Sequence, residues 1–123
     1  MKKYSQKELD DALHLILSTI NKCDKMQQKF LEGTAQHSLL KNRIKALCIS
    51  KALLEKEYDI SHYTRSDLEN ALPPVNSIIS KTEKAQSKYE EGTTQFKRFI
   101  PMINAMYISK LLIEEEIVKM GSR

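Results

Sequence analysis

The sequence predicts an all-α fold: an antiparallel up-and-down four-helix bundle built from two tandem homologous helical hairpins, 5–58 and 64–120, related by a pseudo-twofold axis within one domain spanning 1–123. Three observations predict it. Residues 8–57 align with 67–116 without a gap at an offset of 59, with identity at 21 of 50 positions. Self-similarity at a fixed period marks one supersecondary unit that needs its copy to bury an apolar face. Apolar residues recur at alternating spacings of three and four, the pattern of one helical face. Each copy also carries a Glu-Gly-Thr turn between its two apolar runs, Glu32-Gly33-Thr34 and Glu91-Gly92-Thr93.

The first helix opens at Ser5, which stands three residues before Glu8 at the spacing of a capping box, where hydroxyl and carboxyl each satisfy an orphan amide. Its inward face reads Leu9, Leu13, Ile16, Ile20, Cys23 and Phe30. Gly33 can take the left-handed conformation that closes a helix, and Thr34 can cap the second directly. The second helix then presents Leu40, Ile44, Leu47, Leu54 and Tyr58. The linker Asp59-Ile60-Ser61-His62-Tyr63 is so short that the third helix must return antiparallel to the second. Thr64 and Asp67 open the third with another capping box, and Leu68, Leu72, Val75, Ile79 and Tyr89 continue the stripe. Gly92 and Thr93 repeat the turn, and the fourth helix carries Phe99, Ile103, Met106, Ile113 and Ile117.

The copies differ at their prolines, because His14-Leu15 becomes Pro73-Pro74 and Asn42 becomes Pro101. A proline inside a helix removes a backbone hydrogen bond and crowds the preceding turn, at a cost of about 3 kcal/mol. Pro73-Pro74 is therefore expected to split off a short opening turn, and Pro101 to bend the fourth helix around the core. Alternatively, the carbonyls released near Glu69, Asn70 and Lys97 line a pocket.

The composition, 41% hydrophobic with three Gly, three Pro and no Trp, is that of an ordinary globular chain. Its longest apolar stretch, Phe99 to Ile113, is broken by Asn104, Ser109 and Lys110 and falls short of the roughly 20 residues that a bilayer span needs. The first eight residues turn polar and acidic where a signal peptide needs an apolar run. A cytoplasmic location without a transmembrane segment is the expectation. Cys23 and Cys48 align with Thr82 and Tyr107, so no thiol framework recurs. Folding about Gly33 leaves the two cysteines about 7.5 Å out of register at roughly 1.5 Å per residue, too far for a disulfide. Both are expected to be reduced, buried thiols.

Lys51 and Lys110 hold equivalent seats amid apolar faces, each followed four residues later by a glutamate, Glu55 or Glu114. Either each lysine lays its methylenes over the core and extends its ammonium to the edge, or Lys51–Glu55 and Lys110–Glu114 are buried ion pairs that fix register between hairpins. A second apolar stripe, Ala46, Ile49 and Leu53, repeats as Ala105, Ile108 and Leu112 on the side opposite the main face. It either widens the core or forms an intermolecular surface for a protein partner or a second copy of the chain.

Charge is uneven. Residues 22–45 and 81–98, which converge on the two turns, hold 11 basic and 5 acidic residues, whereas the rest holds 9 and 11. Lys22, Lys25 and Lys29 with their copies Lys81, Lys84 and Lys88 form outer stripes, and Arg43, Lys45, Lys97 and Arg98 lie near the same end. Such a pole is either a solvated face or an anion-binding surface. No aromatic residues alternate with the lysines and no helix-turn-helix or zinc-finger spacing occurs, so any contact with nucleic acid is expected to be nonspecific and salt-sensitive.

Catalytic chemistry has little to stand on. His14, His37 and His62 do not recur in the second copy, there is no Glu-x-x-His, and the acidic runs Glu55-Lys56-Glu57 and Glu114-Glu115-Glu116 lack a Glu-Glu-x-x-Glu spacing. No phosphate-cradling glycine loop or nucleophile elbow is present. In size, basicity and expected fold the chain resembles the cytoplasmic four-helix immunity proteins of bacteriocin producers, a resemblance carried by no residue motif and transferring no site. The expectation is a non-catalytic interaction or regulatory protein, without cofactor or metal, acting through the outer faces of helices two and four. The alternative is polyanion binding, to nucleic acid or an anionic surface, through the lysine pole.

Overall fold

The computed structural model describes residues 4–55 and 60–121. Four long helices, α1 (Gln6–Gln27), α2 (Ala35–Leu54), α3 (Arg65–Gln86) and α5 (Ile100–Gly121), are joined by a one-turn helix α4 (Thr94–Lys97) and a 3-10 turn over Ile60–His62. The described residues contain no strand. Tyr58, assigned from sequence to the apolar face of α2, and Asp59 of the linker lie outside the described residues, as do Lys56 and Glu57.

Both capping boxes form. The amide of Glu8 donates to Ser5 Oγ at 3.1 Å while the amide of Ser5 donates to Glu8 Oε1 at 3.0 Å. Thr64 and Asp67 exchange the same two bonds, each 3.0 Å long. Each box satisfies two amides that the first helical turn leaves open, which fixes where α1 and α3 begin. Thr34 and Thr93 cap α2 and α4 through the amides of His37 and Phe96, both at 3.2 Å.

The turns differ from expectation at the helix ends. α1 and α3 stop at Gln27 and Gln86 under right-handed caps at Gln28 and Ser87, several residues before the glycines. Three-residue bonds then tighten the chain, with Lys29 N to Met26 O and Phe30 N to Gln27 O both at 3.1 Å. Phe30 and Tyr89 thereby leave the helical stripes and stand exposed in the turns. Gly33 and Gly92 do adopt positive φ, 91° and 89°, in the sharp bends that follow. The Gln27 and Gln86 side chains cross each turn to the carbonyls of His37 and Phe96, at 3.4 and 3.2 Å.

The prolines also differ from expectation. α3 runs unbroken through Pro73 and Pro74. Its buried residues fall on both sides of the pair, with Leu68 and Ala71 before it and Val75 and Ile79 after it. A break would throw one half of that stripe out of phase and expose residues each worth about 1.5–3 kcal/mol in burial. The last helical segment is interrupted at Arg98 and Phe99, between α4 and α5, and Pro101 sits in the first turn of α5, where a missing amide hydrogen is tolerated.

α1 packs on α2, α2 on α3, α3 on α5 and α5 on α1, while α2 and α5 also meet. The core reflects that pattern. Ile16 of α1, Leu47 and Ile49 of α2, Leu68 and Val75 of α3, and Met106 and Ile113 of α5 are fully buried or nearly so. α2 and α5 bury residues on more than one side, including Ser50 and Ser109, because each touches three neighbours. The two serine hydroxyls, fully removed from solvent, donate to the carbonyls of Ala46 and Ala105 at 3.0 and 2.9 Å. Small side chains at these seats let the helix backbones approach.

Candidate functional site

The second apolar stripe belongs to the core of the chain itself. Ala46, Ile49, Ala105 and Ile108 are between 0% and 3% exposed, and Leu53 and Leu112 are half-buried against them. The expectation of an intermolecular surface there is corrected, because α2 and α5 turn these residues toward neighbouring helices of the same chain. What remains exposed on them among large apolar side chains is sparse: Leu39 on α2, and Ile100, Tyr107 and Val118 on α5.

The buried ion-pair reading is corrected as well. Lys51 Nζ stands 3.5 Å from Glu55 Oε1, and the two side chains are 39% and 37% exposed, so the pair lies at the edge of the core. Among the described residues Lys110 forms no ion pair with Glu114, which is exposed. Both lysines are partly exposed, as long side chains with an apolar stem and a charged end commonly are at the edge of a core, although the Glu55 oxygen that faces Lys51 is itself buried. In the acidic run that follows, Glu116 is buried, 4.0 Å from Lys119 Nζ.

Both cysteines are free and half-buried. Burial pushes both thiols up; Arg43 partly offsets this at Cys23 and Lys51 at Cys48. Thiols raised in this way are poor nucleophiles at neutral pH. No group of three or more His, Cys, Asp or Glu side chains suited to a metal ion occurs among the described residues.

Two grooves lie between helices. The larger, of about 570 Å³, runs between α2 and α3 and is lined by Asn42, Lys45, Ile49, Asp67, Asn70 and Pro74 among others. The smaller, of about 200 Å³, runs between α5 and α1 past Pro101, Asn104, Ile108, Glu8, Asp11 and Ala12. Most lining positions of the smaller correspond at the offset of 59 to those of the larger. In the larger groove Lys45 Nζ bonds Asp67 Oδ1 at 2.9 Å. The Thr64 amide first, and then Lys45, hold the Asp67 carboxyl below its ordinary value of 3.8. Of the three residues expected to line a pocket beside the prolines, Asn70 lines the larger groove, whereas Glu69 and Lys97 line neither.

The lysine stripes are the remaining candidate. Lys22, Lys25, Lys29, Lys81, Lys84, Lys88, Lys97 and Arg98 are all exposed. None forms a carboxylate contact within 4 Å among the described residues; the four ion pairs there engage Lys7, Lys45, Lys51 and Lys119 instead. Arg43, grouped with these cations from the sequence, is half-buried beside Cys23, and its Nε and Nη2 atoms are buried without a hydrogen-bond partner. Lys45 is taken up by Asp67. Exposed apolar side chains stand among the free cations, Met26, Phe30 and Leu31 in the first turn region and Tyr89 in the second. Sequence reasoning located the lysines but missed these neighbours, since Phe30 and Tyr89 fit the helical spacing and only the early helix ends expose them.

No known protein family, curated protein or solved structure matches this chain.

Proposed function

We propose that this chain is a non-catalytic, cytoplasmic binding protein, an antiparallel four-helix bundle of two homologous hairpins whose shared turn end docks an anionic partner. The observation that carries the reading is the set of eight exposed cations toward the turns that, among the described residues, have no carboxylate within 4 Å, in segments where basic residues outnumber acidic ones. The pseudo-twofold relation between the hairpins would bring both lysine stripes to one end and sum their fields, and clustered charge of one sign steers an oppositely charged partner. The missing nucleophile, triad and metal-ligand motifs in the sequence support a binding role over a catalytic one.

Retention on immobilised heparin tests this reading. The full chain should bind at low ionic strength and elute as salt rises, since exposed charges more than about 8–10 Å apart are screened near physiological salt. Lys25→Glu combined with Lys84→Glu should elute markedly earlier. Flow-through of the wild-type chain at low salt would sink the reading.

A second reading keeps the outer faces of α2 and α5 as a contact for a protein or a second copy, favoured by exposed Leu39, Ile100 and Tyr107. Sedimentation velocity separates the two: self-association lost in Tyr107→Glu and retained in the lysine variant would support this contact.

A further inference from the structure

Leu31 and Met26 have no structural task at the first turn. Leu31 is 81% exposed and Met26 50%, and Phe30 stands beside them. The turn does not need Leu31 or Met26, because the second copy builds the same turn with other residues at those two seats and keeps only an aromatic ring, Tyr89, at the seat of Phe30. Thr34 N donates to Leu31 O at 3.2 Å, and Thr93 N donates to Glu90 O at 3.2 Å. The threonine hydroxyls bond the same two carbonyls at 2.8 and 2.7 Å. Gly33 and Gly92 bend within 2° of each other in φ, at 91° and 89°. Glutamate thus serves at the seat of Leu31, and Ala85 at the seat of Met26.

An aliphatic tip flanked by unpaired ammonium groups at Lys22, Lys25 and Lys29 asks for a partner that accepts both. Nucleic acid offers phosphates but nothing for Leu31 or Met26. Nor does this end offer a row of aromatic platforms for successive bases, since Tyr89 and Phe99 stack on each other with ring centroids 6.0 Å apart and leave Phe30 as a single exposed ring in the first turn. An acidic protein would need a pocket shaped to a projecting leucine and an interface of roughly 1,000 Å² or more. An anionic bilayer meets both demands without shape complementarity: headgroup phosphates and carboxylates take the ammonium groups, and the acyl boundary takes the leucine.

We propose that the turn between α1 and α2 docks on anionic lipid surfaces, inserting Leu31 with Phe30 and Met26 at the acyl boundary while the lysines hold the headgroups. The first hairpin leads, because its tip carries one carboxylate, Glu32, beside Leu31, where the second carries two, Glu90 and Glu91. This rests on the lysine-pole reading above and names its partner.

The test uses the full chain and two assays, co-sedimentation with vesicles and retention on heparin. Vesicles of phosphatidylcholine mixed with phosphatidylserine should pellet the protein, and vesicles of phosphatidylcholine alone should not. Leu31→Gln changes no charge and places an amide isostere of Glu90 in a turn already built with that residue. It should weaken vesicle binding about tenfold and leave heparin elution and the melting temperature unchanged. Because the chain lacks tryptophan, Leu31→Trp supplies a single indole, excited selectively over the tyrosines, whose emission should shift to the blue on phosphatidylserine vesicles. Equal vesicle binding by wild type and Leu31→Gln, or heparin or duplex DNA binding without vesicle binding, overturns the lipid proposal and leaves the lysine reading standing. Binding to neither vesicles nor heparin overturns both.

Discussion

Asp67 accepts the amide of Thr64 at the start of α3 and the ammonium of Lys45 from α2, at 3.0 and 2.9 Å. Both contacts favour the carboxylate, and its folded-state pKa lies below the ordinary value of 3.8. A group whose pKa is depressed on folding contributes stability that is complete above its unfolded value and is lost as pH falls through the folded one. The melting temperature of the wild-type chain should therefore drop more steeply from about pH 5 downward than that of Asp67→Asn. The variant amide still accepts from Thr64 but carries no charge, and calorimetry across that range checks the difference. Parallel curves would mean that the carboxylate is worth no more folded than unfolded. Lys51 illustrates the same scale differently: its neighbours in sequence are apolar, yet a flexible stem brings its charge to the rim, so its environment could not be read from spacing alone.

Among the elements, the two turns are the most sharply specified. Gly33 and Gly92 take a φ near +90°, and a Cβ added at either would meet no atom within 4 Å. Replacing either with alanine therefore adds backbone strain and no clash. Gly33→Ala and Gly92→Ala should each destabilise by about 1–2 kcal/mol, read as a lower urea midpoint with an unchanged slope. A changed slope would point instead to altered compactness. Helix starts were legible because Ser5, Thr64 and the two turn threonines satisfy amides within three residues, a purely local matter. Helix ends and prolines were not. α1 ends at Gln27 because its chain tightens before the glycine, and α3 passes through Pro73-Pro74 because Leu68 and Val75 must share one buried face. Tertiary packing overrides propensity in the second case.

At the scale of the whole molecule, α2 and α5 each touch three neighbouring helices, and Ser50 and Ser109 on them are fully removed from solvent. Ser109→Leu should destabilise by about 1–3 kcal/mol through overpacking, while Ser80→Leu on the exposed face of α3 should stay within about 0.5 kcal/mol. Chemical denaturation of the pair measures the contrast, and equal effects would show that the space at Ser109 is not confined. The free lysines were visible in the sequence because long charged side chains seldom bury, but whether a partner carboxylate stood nearby was not, since Lys45 finds Asp67 22 residues away. The sequence by itself determined the helical class, the starts of α1, α2 and α3 and the two glycine bends, all set by interactions within a few residues; the start of α5 at Ile100, beyond the one-turn α4 that Thr93 caps, was not among them. Only the tertiary structure decided that the Ala46–Ile49 and Ala105–Ile108 stripes face inward and that Leu31 is left outside. Periodicity assigns residues to a face of a helix, and what covers that face depends on how distant segments pack.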